Sequence, residues 1–559
     1  MAQPMFGVES EYAIAGINGG APWQHDDLAD RLVRAARRRL KYLPDMFAAA
    51  GMYLENGARF YIDCGFHPEM TTPECTTPWE LARYVKAGER ILEGLAREVQ
   101  SEIGGGMEVA CFRCNVDYSG TESTWGCHES YLHRADPAGL PDQIIPHLVT
   151  RAIYTGAGGF NPLVNWPEFS VAPRLMHIEN SISGDSTGNR GIFHTKNETL
   201  ATRGYNRLHV LCGESLCSET ALVLKIGATA LVVAMAEEGL KPGAGLKLAE
   251  PIDALRAVAS DAACRTRLRL AEGGEKTALE LQRRLLDMAE RNRSALPPWA
   301  DAVCALWRRT LDQLDGAPDS VATVLDWAIK RRLFSARAER RGIPIERFAP
   351  LTAIIQRLNL ALARVNIKSR GVRLGTLLAP GGPIPDAVKG CAQSLAEDGL
   401  GWDDLDHFLT LRDELYQIDT RFGQLGPRGI FTELDRQGVL DHKVDGIGDV
   451  EAAMSEPPAA GRAKLRGEAV RRLAGQREAL CGWMSVLGPD RRKLDLSDPF
   501  TSAEVWSAPP TGEAAENPQL VPPVDFASDD SSHFQQVLAA MRERHARLRA
   551  RAQGPAETT

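Results

Sequence analysis

Alternating apolar and polar residues at the start of the chain predict two strand-like regions separated by a helix. FGVESEYAIA and the stretch that ends near residue 64 have the two-residue period of β-strands, whereas HDDLADRLVRAARRRLKYL between them has helical spacing. A second helix is predicted from Thr77, because Thr77 suits the N-cap, Pro78 the first helical position and Glu80 a capping box. This part of the chain therefore predicts mixed α and β structure.

Two further alternating segments, residues 108 to 117 and 126 to 134, flank the polar YSGTESTW and predict an antiparallel hairpin. RLHVLCGES predicts another strand, and SETALVLKIGATALVVAMAEEG predicts a long apolar helix that holds much of the core. Residues 252 to 335 have a helical pattern and predict a helical layer on the sheet. Because several strands follow one another without helices between them, an α+β fold is favoured over a Rossmann sheet.

Changes in pattern also divide the chain into segments. The predicted segments are 1–335 and 406–429 for a main domain, 336–405 for a helical insertion, 430–510 for a small C-terminal domain, 511–530 for a linker and 531–559 for a basic helical tail. We assign no role to the insertion. The arginines of the tail could bind an acidic partner, but a solvated basic face is the simpler interpretation.

Composition excludes several classes of function. The 559 residues, 44% hydrophobic and 25% charged, are typical of a globular protein that is long enough for two or more domains. The formal net charge of −8 weighs against nucleic acid as a partner. The longest apolar run, around residues 226 to 236, is predicted to be too short to cross a membrane, and MAQPMFGVESEY does not resemble an export signal. We therefore expect a cytoplasmic protein whose eleven cysteines are reduced.

The pair Cys111 and Cys114 forms a CxxC motif that could indicate zinc binding or redox chemistry. Its setting, EVACFRCNVD, is strand-like, and the chain has no second pair at the spacing of a zinc site. A structural role is therefore favoured for these cysteines.

Polar groups are concentrated on one face of two strand-like segments. In GVESEY, Glu9 and Glu11 point the same way along a strand, where they could hold a cation or face solvent. In NGARFYID, Arg59, Tyr61 and Asp63 share one face, and the alternate positions are apolar. A surface strand would give the same pattern, so the neighbouring residues decide between the two interpretations.

HPEMTTPE follows the second of these segments and adds His67, Glu69 and Glu74. So many ionisable groups at one end of a strand favour a functional site. Glutamate oxygens suit Mg²⁺, and His128 and His209 could add ligands, although a lone strand histidine is more often structural. The chain contains no GxxxxGK[ST] motif, so ATP would have to bind to a fold other than a P-loop.

Ten short motifs occur in the order typical of the family of Pup ligases and Pup deamidases. They are GVESEY, NGARFYID, HPEMTTPEC, KAGERIL, GCHESYL, RLHVLCGES, LKIGATALV, DWAIKRRLF, RAKLRGE and DPF. This resemblance covers roughly residues 5–335 and 406–500. It implies a glutamine-synthetase-like fold, in which a curved antiparallel sheet backed by helices binds ATP and Mg²⁺, with a small C-terminal domain.

The resemblance also implies a role for each residue that matches a family motif. The implied magnesium ligands are Glu9, Tyr61 and Glu69. The implied ATP-binding residues are Arg59, Thr72 and Trp483. Asp63 matches the catalytic base of the family. A second metal set is implied at Glu11, His128 and His209.

The activity implied by the resemblance is ATP-dependent ligation. ATP phosphorylates the side-chain carboxylate of a C-terminal glutamate on a Pup-like small protein modifier, and a lysine of a protein substrate then forms an isopeptide bond. A deamidase or isopeptidase, in which water attacks, would use the same residues. Deamidase members carry a long insertion before the NGAR strand, whereas 44 residues lie between Glu11 and Asn56 here, which favours the ligase.

The chain departs from the family at one segment, where TKNETLAT replaces TRDEPHAD. Lys196, Asn197 and Leu200 therefore stand where the family has arginine, aspartate and histidine, and Ser130 replaces an asparagine. A divergent modifier, a small amino-acid substrate and a changed direction of reaction stay open on this ground. A non-catalytic nucleotide-binding relative is a further alternative, although such a protein has no need to retain the whole set of implied site residues.

Overall fold

The computed structural model describes residues 4–17, 25–48, 50–118, 123–164, 167–184, 189–194, 200–202, 204–343 and 402–508, with the single residues 348, 351, 353, 396, 397 and 399. Most of the predicted insertion 336–405 lies outside the described residues. The predicted linker 511–530 and basic tail 531–559 lie entirely outside them, as do Lys196 and Asn197.

Strands and helices alternate irregularly along the described residues. The strands are β1 (Met5–Glu11), β2 (Ala13–Ile17), β3 (Tyr42–Pro44), β4 (Met52–Leu54), β5 (Arg59–Ile62), β6 (Pro68–Thr71), β7 (Glu108–Phe112), β8 (Cys127–His133), β9 (Gly159–Phe160), β10 (Phe169–Ser170), β11 (Asn180–Ser183), β12 (Gly191–His194), β13 (Asn206–Val210), β14 (Arg267–Arg269), β15 (Glu275–Thr277), β16 (Leu480–Cys481), β17 (Ser485–Leu487) and β18 (Lys493–Asp495). The α-helices are α1 (His25–Arg39), α2 (Pro78–Ile103), α3 (Leu140–Thr150), α4 (Ala152–Thr155), α5 (Glu219–Glu237), α6 (Pro251–Ala259), α7 (Ala278–Arg291), α8 (Ala300–Gly316), α9 (Asp326–Arg340), α10 (Trp402–Phe422), α11 (Ile430–Arg436) and α12 (Gly461–Leu473).

The main sheet has the strand order β11-β12-β13-β8-β1-β6-β5-β4-β3. Neighbouring strands are antiparallel throughout, apart from the parallel pair β11 and β12. Helices cover one face of this sheet, and α5 lies at the centre of the largest hydrophobic core. The predicted α+β fold, an antiparallel sheet backed by helices, is therefore confirmed.

Helix α5 begins where the sequence predicts, because the Ser218 hydroxyl caps it by accepting a hydrogen bond from Ala221 N at 3.2 Å. The apolar stretch of this helix is longer than the run around residues 226 to 236 that the sequence pattern indicates. By length and composition this one helix, among the described residues, could cross a membrane. Most of it is buried inside the protein, which is also typical of a core helix.

The predicted hairpin between residues 108–117 and 126–134 is wrong. β7 pairs with β2 in a separate two-stranded sheet, whereas β8 lies between β1 and β13 in the main sheet. Within the described residues, an isolated antiparallel bridge joins Val116 of the first segment to Thr124, which precedes the second. Alternation fixes which side chains share a face, but the partner of a strand is chosen by tertiary contacts that a local pattern does not contain.

Helix α2 also begins at its predicted position, with Thr77 Oγ1 accepting a hydrogen bond from Glu80 N at 3.1 Å. The Glu80 carboxylate accepts from Thr76 N at 2.8 Å, one residue earlier than in a standard capping box. The start of the helix is thus fixed from both sides.

Helix α12 and strands β16 to β18 pack against β3 and β4 at one edge of the main sheet, with Leu43 and Tyr53 in the shared core. Arg466 donates from Nε and Nη2 to Gly57 O at 3.1 and 3.0 Å. Gly57 has a φ of +81°, and a Cβ there would lie 2.9 Å from Ala463 O. Glycine therefore permits the close approach that places α12 beside the start of β5.

Glu74 joins the sheet to α12 through two buried arginines. Its carboxylate is hydrogen-bonded to Arg466, and Arg462 Nε lies 2.5 Å from Glu74 Oε1. Glu74 therefore faces α12, although its sequence position predicted a place in the functional cluster. Removal of one partner from a buried ion pair leaves uncompensated charge, which is strongly destabilising.

We expect Glu74→Gln to lower the free energy of unfolding by about 3–5 kcal/mol, because two buried guanidinium groups lose their counter-charge. Chemical denaturation followed by far-UV circular dichroism measures this change. Glu55→Gln is a matched control, since Glu55 pairs with the more exposed Arg471 and Lys41, and we expect it to cost under about 1 kcal/mol. Equal, small effects for both variants would contradict the role of Glu74.

The same cluster predicts a dependence of stability on pH. Burial alone would raise the pKa of Glu74, but the charges of Arg466 and Arg462 outweigh it and lower the pKa from 4.5 to about 2. The stabilisation is therefore fully present above about pH 4.5 and is lost as the pH falls towards 2. When chemical denaturation is measured between these pH values, the free energy of unfolding should fall more steeply with decreasing pH for the wild-type protein than for Glu74→Gln.

Candidate active site

The face of the main sheet opposite the helices carries two rows of polar side chains. Antiparallel pairing aligns alternate positions of neighbouring strands, so that residues from four strands lie side by side. The rows are Arg59–Thr71–Glu9–His128 and Tyr61–Glu69–Glu11. Phe60 and Ile62, at the alternate positions of β5, enter the core as the sequence predicts.

Glu9 is at the centre of this face, where it is hydrogen-bonded to Tyr61 and lies close to His128. The Tyr61 hydroxyl donates to Glu9 Oε1, and His128 Nδ1 lies 3.8 Å from Glu9 Oε2. Burial would raise the pKa of Glu9, but the interaction with His128 outweighs it and holds the pKa well below its ordinary value. Burial, together with Glu69 and Glu9, raises the pKa of Tyr61, so the phenol keeps its proton and acts as the donor.

Glu69 is the most deeply placed carboxylate of the cluster, with 3% of its surface exposed. Burial and the charges of Glu9, Glu11 and Asp63 raise the pKa of Glu69 well above its ordinary value. The cluster thus holds more negative charge than its own partners neutralise. A divalent cation would remove this imbalance, so the residues fit a metal site.

The histidines support the same interpretation. Ligand atoms of Glu9, His128 and His209 lie within 4.8 Å of one another, as do those of Glu11, Glu69 and His128. Nε2 of His128 and Nε2 of His209 are buried, and neither has a hydrogen-bond partner in the described part of the chain. Burial also lowers the pKa of His209, which favours the neutral imidazole that ligates metals. Oxygen ligands from three glutamates suit Mg²⁺.

Gly126 lies directly against this cluster. A Cβ at this position would be 2.6 Å from His128 Nε2 and 2.9 Å from Glu11 Oε1. Because glycine has no Cβ, both His128 Nε2 and Glu11 Oε1 can lie close to this position.

Asp63 lies just after β5, in the turn that leads to β6. Its Oδ1 accepts hydrogen bonds from Gly65 N at 2.8 Å and His67 N at 2.7 Å, and its Oδ2 lies 3.2 Å from His67 Nδ1. His67 Nδ1 is also 3.3 Å from Glu11 Oε2. Burial would lower the pKa of His67, but Asp63 and Glu11 outweigh it and raise the pKa to about 10. The imidazole is therefore protonated at neutral pH, and the three residues form an ion-pair triad.

Arg59 and Trp483 lie together at the β4–β5 end of the face. Arg59 Nε donates to Asp45 Oδ2 at 2.6 Å, and its guanidinium is 4.0 Å from the centre of the Tyr61 ring. The Trp483 ring packs edge-on against Tyr53 at 5.2 Å, and Tyr53 is 6.0 Å from the Arg59 guanidinium. A cation beside an aromatic ring is an arrangement suited to a nucleotide.

Thr72 lies apart from the two rows. Its hydroxyl accepts a hydrogen bond from Val8 N at 3.1 Å and so stabilises the junction of β1 and β6. Thr71 is the threonine in register with Arg59 and Glu9, and its buried Oγ1 has no hydrogen-bond partner among the described residues. The polar face thus presents the hydroxyl of Thr71.

Two of the residues that depart from the family pattern, Ser130 and Leu200, lie within the described part of the chain. Ser130 accepts a hydrogen bond from Arg207 Nε at 3.0 Å. Leu200 has a φ of 49°, and its carbonyl accepts a hydrogen bond from Arg462 of α12. The backbone at Leu200, near the end of the altered segment, is therefore hydrogen-bonded to α12.

The CxxC motif contributes nothing to this face. Burial raises the pKa of Cys111 and of Cys114 to about 12 in each case, so both are protonated thiols at neutral pH. The cysteines in the described part of the chain are free thiols.

Sequence reasoning missed Asp45, Thr71 and the buried Arg174. Asp45 directly follows β3 and could have been noted as a strand-end carboxylate. Arg174 lies in a short 3₁₀ helix without periodic polar positions, so no local sequence pattern predicts that it is part of the site.

Comparison with known proteins agrees with this geometry. A family model described as Pup-ligase protein matches residues 5–372 and 392–487. The Pup–protein ligase of Kribbella flavida is 32% identical over 515 residues, which cover 90% of this chain and 97% of that protein. The Pup–protein ligase of a Nocardioides species is 34% identical over 359 residues, which cover 62% and 76%.

Solved structures of PafA have the same fold. The complex of the prokaryotic ubiquitin-like protein Pup with its ligase PafA matches with a TM-score of 0.66 and 25% identity over 90% of each chain. The Pup ligase PafA in complex with ADP matches with a TM-score of 0.61 and 25% identity, over 94% of this chain and 95% of that one. Because the family model matches most of its length and a Pup–protein ligase is 32% identical over 90% of it, this chain belongs to the Pup-ligase family.

Proposed function

We propose that this protein is a carboxylate–amine ligase that uses ATP to join a C-terminal glutamate of a Pup-like modifier to a lysine of a protein substrate. The named Pup–protein ligases, and the PafA complexes with Pup and with ADP, support the modifier and the nucleotide. The observation that carries the proposal is the single polar face, where the Arg59 end adjoins the cluster of Glu9, Glu11 and Glu69.

The proposed ligand roles follow the family motifs, and all of the assigned residues except Thr72, Trp483 and His209 lie in the two rows. We assign ATP contacts to Arg59, Trp483 and Thr72, and magnesium ligands to Glu9, Tyr61 and Glu69. Glu11, His128 and His209 form the proposed second metal set. When bound, Mg²⁺ neutralises charge on the transferring phosphoryl group. Glu9 accepts a hydrogen bond from Tyr61 and lies 3.8 Å from His128 Nδ1, so it is placed between the two proposed metal sets.

Asp63 is the proposed base. In the proposed reaction the glutamate side-chain carboxylate takes the γ-phosphoryl group of ATP, and a neutral lysine amine then attacks its carbonyl carbon. The C–N bond forms, phosphate leaves, and the amine proton passes to Asp63. Lysine has a reference pKa near 10.4, so supplying the neutral amine at pH 7 costs about 4–5 kcal/mol without assistance. Two backbone amides fix Asp63 Oδ1, which orients Oδ2 for this task.

The direction of the reaction distinguishes ligation from the deamidase or isopeptidase alternative, in which water replaces lysine as the nucleophile. The names of the relatives favour ligation, as does the short stretch between Glu11 and Asn56. We place the reaction in the cytoplasm, where the free thiols of the described cysteines would be maintained.

The proposed function is tested by incubating the protein with ATP, Mg²⁺, a Pup-like modifier that ends in glutamate, and a lysine-bearing protein. Intact-mass spectrometry should detect an isopeptide conjugate, and a coupled assay should detect ADP. Release of modifier from a conjugate, or conversion of a C-terminal glutamine to glutamate, would support the hydrolase instead. Tight nucleotide binding without any turnover would support the non-catalytic alternative.

We predict that Asp63→Asn retains ATP binding but slows conjugation by about 10²- to 10⁴-fold, because the amide does not accept the amine proton. Single-turnover conjugation and calorimetric titration with ATP measure the two quantities. Asp136→Asn is a matched control, since Asp136 also accepts backbone N–H groups in a turn but is exposed and lies away from the face. Near-normal turnover of Asp63→Asn would refute the base assignment.

We predict that Gly126→Ala weakens metal binding by about 10- to 100-fold, because the new methyl group must displace His128 or Glu11. Titration with Mn²⁺ as a spectroscopic substitute for Mg²⁺ measures the affinity. Gly94→Ala is the control, since a Cβ at this helix position meets nothing within 4 Å. Unchanged Mn²⁺ affinity in Gly126→Ala would place the metal elsewhere.

A further inference from the structure

Arg174 is a buried arginine whose side chain has, within the described residues, no carboxylate partner of the kind that the other buried arginines have. It lies in a short 3₁₀ helix, Pro173–His177, with 2% of its surface exposed. Its Nε and Nη1 are buried and have no hydrogen-bond partner within the described residues. The other buried arginines of the described residues, Arg151, Arg462 and Arg466, are each paired with a glutamate.

The main chain of Arg174 is nevertheless firmly held. Arg174 N donates to Glu214 Oε1 at 2.7 Å, and Ala157 N donates to Glu214 Oε2 at 2.6 Å. The Glu214 carboxylate therefore binds backbone amides, and burial raises its pKa to about 7. The backbone is fixed by a carboxylate that does not pair with the guanidinium.

The guanidinium lies within electrostatic range of Glu11, at one side of the polar face. Its charge contributes to lowering the pKa of Glu11, although His67 contributes more and burial acts in the opposite direction. The neighbouring His177 is neutral, because burial and the charges of Arg190 and Arg174 lower its pKa to about 4. Arg59 and Trp483 mark the proposed nucleotide end, on the β4–β5 side of the same face.

An unpaired guanidinium in a buried position is unfavourable, and it is tolerated where a ligand supplies the anion. We propose that Arg174 binds an anionic oxygen group of the substrate at the Glu11 side of the site, either a carboxylate of the modifier's terminal glutamate or the phosphoryl group in transfer. This inference rests on the proposed function. A terminal glutamate has two carboxylates, and the one that does not react needs a cation to hold it.

The experiment compares the full-length protein with its Arg174→Ala and Arg174→Lys variants. The probes are a fluorescent peptide that ends in a free glutamate, the same peptide with its terminal α-carboxylate amidated, ATP and ADP. We expect Arg174→Ala to weaken binding of the free peptide by about 10- to 100-fold and to leave ADP binding unchanged. Fluorescence anisotropy and calorimetry give these affinities.

The two sources of the anion give different patterns. If Arg174 holds the α-carboxylate, the wild-type protein prefers the free peptide to the amidated one, and Arg174→Ala loses this preference. If Arg174 holds the phosphoryl group, the preference persists, and Arg174→Ala loses affinity for ATP but not for ADP. Unchanged affinities for peptide and ATP in Arg174→Ala would overturn the inference.

A purely structural role gives a third pattern. Thermal unfolding is measured for each variant, and methylguanidinium is added to Arg174→Ala to refill the space of the lost side chain. Restored binding supports the inference, whereas a lowered melting temperature with loss of ADP binding and no rescue would overturn it. Arg134→Ala is the control, since Arg134 is an exposed arginine that donates a hydrogen bond to the Tyr205 hydroxyl.

The proposed function and this inference can fail separately. If the wild-type protein binds the free peptide in an Arg174-dependent manner but forms neither ADP nor conjugate, the ligase proposal fails and the inference stands. If conjugation is normal and Arg174→Ala has wild-type affinities and turnover, the inference alone fails.

Discussion

Repulsion among four carboxylates on one sheet face is the constraint on which the rest of the site depends. Glu9, Glu11, Asp63 and Glu69 lie close together because β1, β5 and β6 are neighbours and their alternate positions align. The protein distributes this charge unevenly: the pKa of Glu9 and of Glu11 is lowered, whereas that of Glu69 is raised. Such a split is characteristic of sites arranged to bind a cation or to move a proton.

The other face of the sheet explains how so unfavourable an arrangement is held in place. On β8, His128 points to the polar face, while the next residue, Glu129, is fully buried between Arg151 and Lys225. Just after β6, Glu74 makes a second link, to two buried arginines of α12. Buried ion pairs add little net stability, but breaking one is costly, so they favour a single position for each strand. Fixed strands keep the carboxylates in their rows.

Local periodicity is the reason that part of the site could be predicted from sequence. The shared face of Arg59 and Tyr61, and that of Glu9 and Glu11, follow from the two-residue repeat of a strand and from nothing else. Residues outside a strand lack this guide, and so Glu74 was expected in the cluster although it binds α12. The partner of β7, the role of Thr71 beside Arg59 and the burial of Arg174 depend on tertiary contacts. The ligand roles and domain boundaries stay predictions.

His67 connects the proposed metal site to the proposed base. Its protonated ring lies between Glu11 and Asp63, and both carboxylates contribute to the pKa of about 10. One imidazole therefore contacts both a residue of the proposed second metal set and the proposed base, so the positions of these two carboxylates depend on each other, whether the nucleophile is a lysine or a water.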